Sequence, residues 1–267
     1  MIDKSFKGRI RNGEKLIGTW IQTGSPEIVE VVGISGFDFA IIDTEHACFG
    51  IEKAEELVRA AEVSGLIPVI RVSHKNPTLV MKALDTGARG FVYPGVTCRK
   101  DAEEAVRASK YPPEGDRGAC PFVRATGHGS GDWKEIAARA NRDTVRVILV
   151  EGKEGIENFE DILSVDGIDV IMMGPFDLSV SLGVGGELEH PLVMDAFSRM
   201  IHLCRQRDVV MMPNIFDPDL DKVKELSEHW FNSGCQSLVV NTEKLMLSWA
   251  LRKNLEIARK ASGDQAQ

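Results

Sequence analysis

Long apolar runs, cysteine pairs and an excess of basic charge are all missing from this 267-residue chain, and each absence excludes something. No apolar run approaches the ~18 residues of a membrane span. The opening MIDKSFKGRIRNGEK carries no apolar core of a signal peptide. A soluble, cytoplasmic protein without a membrane partner is the expectation. The five cysteines, Cys48, Cys98, Cys120, Cys204 and Cys235, are odd in number and without CxxC spacing. That disfavours a disulfide framework or a zinc site and fits a reducing compartment. Acidic residues outnumber basic ones, 40 against 32, which argues against a nucleic-acid partner. There is no GxGxxG after the first strand candidate, no low-complexity tract and no shift in composition. One domain over residues 1–267, with a barrel core about 16–260, is therefore expected.

What is present is a rhythm. Short β-branched runs alternate with amphipathic stretches, the pattern that builds parallel sheets with crossover helices. Eight strands are expected: LIGTWIQ (16–22), FDFAIID (37–43), IPVIRV (67–72), GFVYPG (90–95), VRVILVE (145–151), DVIMMG (169–174), VVMMP (209–213) and SLVVN (237–241). The intervening helices carry their own start signals, Ser25 before Pro26 and Asn76 before Pro77, the latter helix ending towards Gly87. Eight βα units in ~250 residues predict a single (β/α)8 TIM barrel, with a doubly wound open sheet as the runner-up. The Pro-, Gly- and Arg-rich stretch from Tyr111 to Trp133 reads as a functional or interface loop, with Arg117 and Arg124 at the entrance or against a neighbouring subunit. GVGGELEHP reads as a second, mobile loop. Met172, Met173, Met211 and Met212 read as core, and Cys48 as a small packed residue.

In a barrel the strand ends carry the chemistry. Strand two ends in Asp43, Thr44, Glu45 and His46; strand three in Arg71 and Ser73; strand five in Glu151; strand six leads through Gly174 and Pro175 to Asp177; strand eight ends in Asn241. Two acids for a hard divalent cation, a guanidinium for a carboxylate or enolate, and a histidine for proton transfer form a coherent set.

The ordered segments FDFAIIDTEHA, VIRVS, KYPPEGDRG, VILVEGKEGIEN and IMMGPFDLS resemble the 4-hydroxy-2-oxoheptane-1,7-dioate (HpcH/HpaI) aldolase family of class II pyruvate aldolases, over nearly the whole chain. The resemblance implies a barrel, a divalent metal cation (Mg, Mn or Co) on Glu151 and Asp177, Arg71 at the pyruvate end, and an Asp43/His46 pair handling protons. Glu45 is expected to stand behind the metal ligands. A substrate carboxylate is expected on backbone N–H groups near Gly174 and Pro175. The resemblance further implies a homo-hexamer, a trimer of dimers that exchange their last helix.

The implied reaction is retro-aldol cleavage of a 4-hydroxy-2-oxo acid to pyruvate and an aldehyde. Several positions depart from the family pattern: Leu149, Gly152, Val72, Tyr93, Asn241 and Glu243. These touch the acceptor aldehyde more than the chemistry. The alternatives are a related lyase acting on coenzyme A thioesters, a decarboxylase, and a non-catalytic scaffold barrel.

Overall fold

The structure is a computed structural model that describes residues 5–262; the remaining residues of the expected 1–267 domain, at both ends, lie outside it. Its strands are β1 (Leu16–Ile21), β2 (Phe39–Asp43), β3 (Ile67–Arg71), β4 (Gly90–Tyr93), β5 (Val145–Val150), β6 (Val170–Met173), β7 (Val210–Met212), β8 (Asn214–Ile215) and β9 (Ser237–Thr242). The helices are α1 (Phe6–Arg11), α2 (Pro26–Ile34), α3 (Ile51–Val63), α4 (Pro77–Asp85), α5 (Arg99–Ser109), α6 (Trp133–Asp143), α7 (Lys153–Glu157), α8 (Phe159–Leu163), α9 (Pro175–Ser181), α10 (Pro191–Gln206), α11 (Leu220–Asn232) and α12 (Glu243–Ser262). Ser25 and Asn76 cap α2 and α4 as expected, accepting from the N–H groups of Ile28 and Thr78. Among the described residues no helix is long and apolar enough to cross a membrane.

Every strand pair is parallel, in the order β7, β6, β5, β4, β3, β2, β1, β9, β8. Only Pro213 separates β7 from β8, so the two are halves of one barrel strand. The first half pairs with β6, the second with β9, and the carbonyl of Pro213 accepts from the N–H of Val239 at 3.0 Å. The ring closes there, which sets the open-sheet reading aside. The expected seventh strand is thus broken, because proline has no N–H to give the ladder, and it is prolonged to Ile215.

Side-chain alternation sorts the strands into two apolar populations. Ile21, Ala40, Ile42, Ile70, Phe91, Tyr93, Ile148, Val150, Ile171 and Met173 face the helices. Leu16, Trp20, Phe39, Ile41, Val69, Val92, Val147, Leu149, Val170, Met172, Met212 and Val239 fill the barrel interior. Gly18 belongs to the inward set, and a Cβ there would strike the Phe39 ring. Three of the four methionines expected in the core are within 1% of full burial and Met211 is 4% exposed.

The helix α1 was not foreseen. Its Phe6 and Ile10 plug the bottom of the barrel against Phe39 and its neighbours. Lys7 joins a buried ionic cluster at that end, pairing with Asp169 at 2.7 Å, while Arg146 also reaches Asp169 and is bonded to Ser109 and to the carbonyls of Asn141 and Thr144.

The stretch after Tyr111 departs from expectation. Arg117 is buried, pairs with Asp85 at 2.7 Å and lies over the Tyr111 ring. Arg124 pairs with Glu62 and donates to the carbonyl of Thr86 at 2.8 Å. Both arginines fasten this segment to α3 and α4. Tyr93 turns outward and donates to Glu104 on α5.

Candidate active site

The alternation that fills the barrel also chooses what lies at its mouth. Asp43 continues the inward set of Phe39 and Ile41, Arg71 that of Val69, and Glu151 that of Val147 and Leu149. These three apolar interior columns therefore end in charged groups at the C-terminal face.

Asp43 and Arg71 are register partners on adjacent strands. Arg71 donates Nε to Oδ1 at 2.9 Å and Nη2 to Oδ2 at 2.6 Å, the two-point fork of a guanidinium on a carboxylate. Gln22 Nε2 and the backbone N–H groups of Glu45 and His46 complete the shell of Asp43 at 3.0, 3.0 and 3.2 Å. Burial alone would raise the pKa of this carboxyl; the bonds and charge of Arg71, with Gln22 and the Glu45 N–H, outweigh it and hold Asp43 below the ordinary aspartate value. Beneath the guanidinium lies the Trp20 ring, 4.4 Å from its carbon.

Asp43 meets His46 through the backbone, so its side-chain partner is Arg71 and not the imidazole. His46 itself is exposed at the rim. Cys48, expected to be packed, is also exposed, because the loop after β2 runs over the surface before α3 begins.

Glu151 and Asp177 converge around Gly174. A Cβ built there would lie 2.9 Å from Glu151 Oε2 and 3.5 Å from Asp177 Oδ2. The other oxygen of Glu151 accepts from the N–H of Gly95 at 3.1 Å. Burial, then the negative charges of Asp177 and Glu45, push the Glu151 carboxyl up to about 7. Among the described residues neither Glu151 nor Asp177 makes a salt bridge. Glu45 stands beside them, its Oε2 3.1 Å from Arg71 Nη1 but without a hydrogen-bond partner, and burial raises its pKa against the pull of Arg71.

Crowded carboxylates without a matching cation are what a divalent ion would relieve, so the donor set fits such an ion. The described residues contain no group of three or more His, Cys, Asp or Glu side chains placed to hold a metal, so the protein would offer two carboxylates and leave the other positions to water and substrate. Gly174 is the N-cap of α9 and Pro175 its first residue, next to these acids.

Two site residues, Gln22 and Trp20, escaped the sequence reading, and Glu243 was noted only as a departure from the family pattern. Gln22 follows β1, whose end was left out of the strand-end inventory although the same rule applies to it. Trp20, inside the expected strand 16–22, is the platform under Arg71. Glu243, buried at the start of α12, accepts from the N–H groups of Gln22 and Thr23 at 2.7 and 2.5 Å and so fixes the turn that carries Gln22.

A closed parallel barrel with its charged groups gathered at the C-terminal face is the architecture of a barrel enzyme. The chain belongs to the HpcH/HpaI aldolase/citrate lyase family, whose profile matches residues 16–235, and it is a carbon–carbon lyase of the aldolase type. It is 37% identical over 188 residues to a hydroxypyruvate/pyruvate aldolase of Roseobacter denitrificans, covering 70% of this chain and 73% of that one. A 5-keto-4-deoxy-D-glucarate aldolase of Shigella boydii is 32% identical over 197 residues, 74% and 76% of the two chains. The crystal structure of an HpcH/HpaI aldolase/citrate lyase family protein from Burkholderia cenocepacia superposes with a TM-score of 0.87 at 31% identity, over 95% of this chain and 98% of that one.

Proposed function

We propose that this chain is a class II pyruvate aldolase that cleaves a 4-hydroxy-2-oxo acid into pyruvate and an aldehyde. The observation that carries the reading is the convergence of Glu151 and Asp177 about Gly174, beside an Asp43-held Arg71. Glu151 and Asp177 would hold Mg, Mn or Co, and the ion would supply Lewis-acid polarisation of the substrate 2-oxo group. Arg71 binds the developing negative charge on that oxygen, and Asp43 and Trp20 fix its direction before substrate arrives. His46 accepts the 4-hydroxyl proton at the rim. The C3–C4 bond then breaks, C4 leaves as an aldehyde carbonyl, and the electron pair passes to C3. Proton return to C3 gives pyruvate. The substrate carboxylate lies toward the Gly174–Pro175 turn. Glu45 tunes the charge of the acid pair without joining it.

The same reading extends to assembly. Leu247, Leu251 and Leu255, spaced one helical turn apart on α12, are 50%, 62% and 52% exposed, and every residue from 251 to 262 is exposed. Such a stripe fits burial against a second copy, as in a hexamer built as a trimer of dimers that exchange this helix.

The test is pyruvate release from a panel of 4-hydroxy-2-oxo acids, with chelator, with Mg or Mn restored, and with Glu151→Gln. Metal-restored activity that the variant lacks is expected. Activity indifferent to chelator would overturn the metal assignment, and none on any substrate would favour thioester cleavage or a scaffold.

A further inference from the structure

The broken seventh strand has a chemical use. Met212 at the end of β7 faces the barrel interior. Two residues on, past Pro213, Asn214 falls on the same inward side and places an amide, 7% exposed, beside this otherwise apolar interior. A buried amide is costly unless bonded at both ends. Asn214 is: its Nδ2 donates to the carbonyl of Met173 at 2.7 Å, and its Oδ1 accepts from the indole N–H of Trp20 at 2.8 Å. Trp20, 4% exposed, carries Arg71 over its ring. Met173 is the last residue of β6, one position before Gly174 and the acid pair. Asn214 is therefore a strut between the strand that delivers the proposed metal site and the indole on which the guanidinium rests.

We propose that Asn214 is a positioning residue for the lyase reaction, acting on Arg71 through the Trp20 indole N–H. The assignment rests on the pyruvate-aldolase reading of this site. In that reading Arg71 meets the oxygen that becomes negative, and its ring platform has a single polar handle, the N–H that Asn214 holds. Without that bond the indole keeps its packing but loses the polar restraint that fixes its tilt, and the guanidinium rests on a less fixed surface on one side while keeping Asp43 on the other.

The experiment compares Asn214→Leu, Trp20→Phe and the double variant with the wild-type chain. Two readouts are taken: kcat for pyruvate release, and calorimetric binding of oxalate, a planar dianion shaped like pyruvate enolate, in the presence of Mg. Each single variant is expected to weaken oxalate and lower kcat about fivefold, the size of one neutral hydrogen bond, at unchanged binding stoichiometry. Because both act through one bond, the double variant is expected to lose no more than the worse single. Losses that multiply, or an Asn214→Leu protein that binds and turns over like wild type, overturn the assignment. So does a lower stoichiometry with an unchanged dissociation constant, since that marks a structural role only. Should Asn214→Leu fail to fold, Trp20→Phe, which keeps an aromatic platform and removes the N–H, carries the test: wild-type oxalate affinity in that variant also refutes it. A wild-type chain that releases no pyruvate removes the functional reading instead, and this inference with it.

Discussion

Replacing Arg71 tests the site and the fold at once. Arg71 is 7% exposed and Asp43 is fully buried, so the pair is a desolvated ion pair. In Arg71→Met, Asp43 keeps only Gln22 and two backbone N–H groups. Removing one partner of such a pair costs ~3–5 kcal/mol, a large share of the ~5–15 kcal/mol that holds a typical domain together. Arg71→Lys restores the charge but not the fork, the contact with Glu45 or the flat stacking on Trp20, and is expected to cost roughly half as much. For catalysis, loss of one preorganised donor at a developing oxyanion lowers kcat by about 10²–10³, or ~2.7–4 kcal/mol, and Lys is expected to recover little of it.

A pH series adds a sign. With Arg71 present the pKa of Asp43 is depressed below 3.8, so its contribution to stability is present above that value and is lost as pH falls through the folded pKa. In Arg71→Met burial prevails and the pKa is raised, so the contribution of Asp43 declines as pH rises through the same region. Urea unfolding followed by tryptophan emission from strongly acidic to neutral pH reads both slopes, and coupled-assay pyruvate release reads kcat. An Arg71→Lys protein with kcat within about threefold of wild type, or a Met variant as stable as wild type, would refute the reasoning.

Gly174→Ala sets a Cβ 2.9 Å from Glu151 Oε2 in a backbone conformation, φ −89° and ψ 96°, open to any residue. Metal affinity by calorimetry is expected to fall at least about tenfold with little change in melting temperature, and unchanged affinity would place the metal elsewhere. Because the Glu151 carboxyl sits at about 7, metal loading at pH 6 is expected to release about one proton per site, and far less at pH 8.5. Calorimetry in two buffers of different ionisation enthalpy counts it, and equal release at both values contradicts a ligand role for Glu151. Paired Leu251→Lys and Leu255→Lys substitutions are expected to reduce the oligomer to smaller species in light scattering, with the monomer still folded by circular dichroism; an unchanged mass removes the role given to α12.

Much of this was legible in the sequence because it depends on short periods. The two-residue alternation along VRVILVE and FDFAIID, with capping residues between, is local, so strands, caps and the charged ends of Asp43, Arg71 and Glu151 follow from the chain alone.

What tertiary structure alone decided is which charges meet. Asp43 serves Arg71 and not the imidazole three residues on, because its inward-facing carboxylate lies beside the guanidinium of the neighbouring strand while His46 is exposed at the rim. Arg117 and Arg124 find Asp85 and Glu62 far along the chain, contacts invisible to composition that fasten the loop to α4 and α3. The break at Pro213, the α1 plug and the Asn214–Trp20 contact likewise arise from closing the ring, when the first and last strands meet and residues nearly two hundred positions apart must share one interior. Alternation fixes which way a side chain points; only closure fixes what it points at.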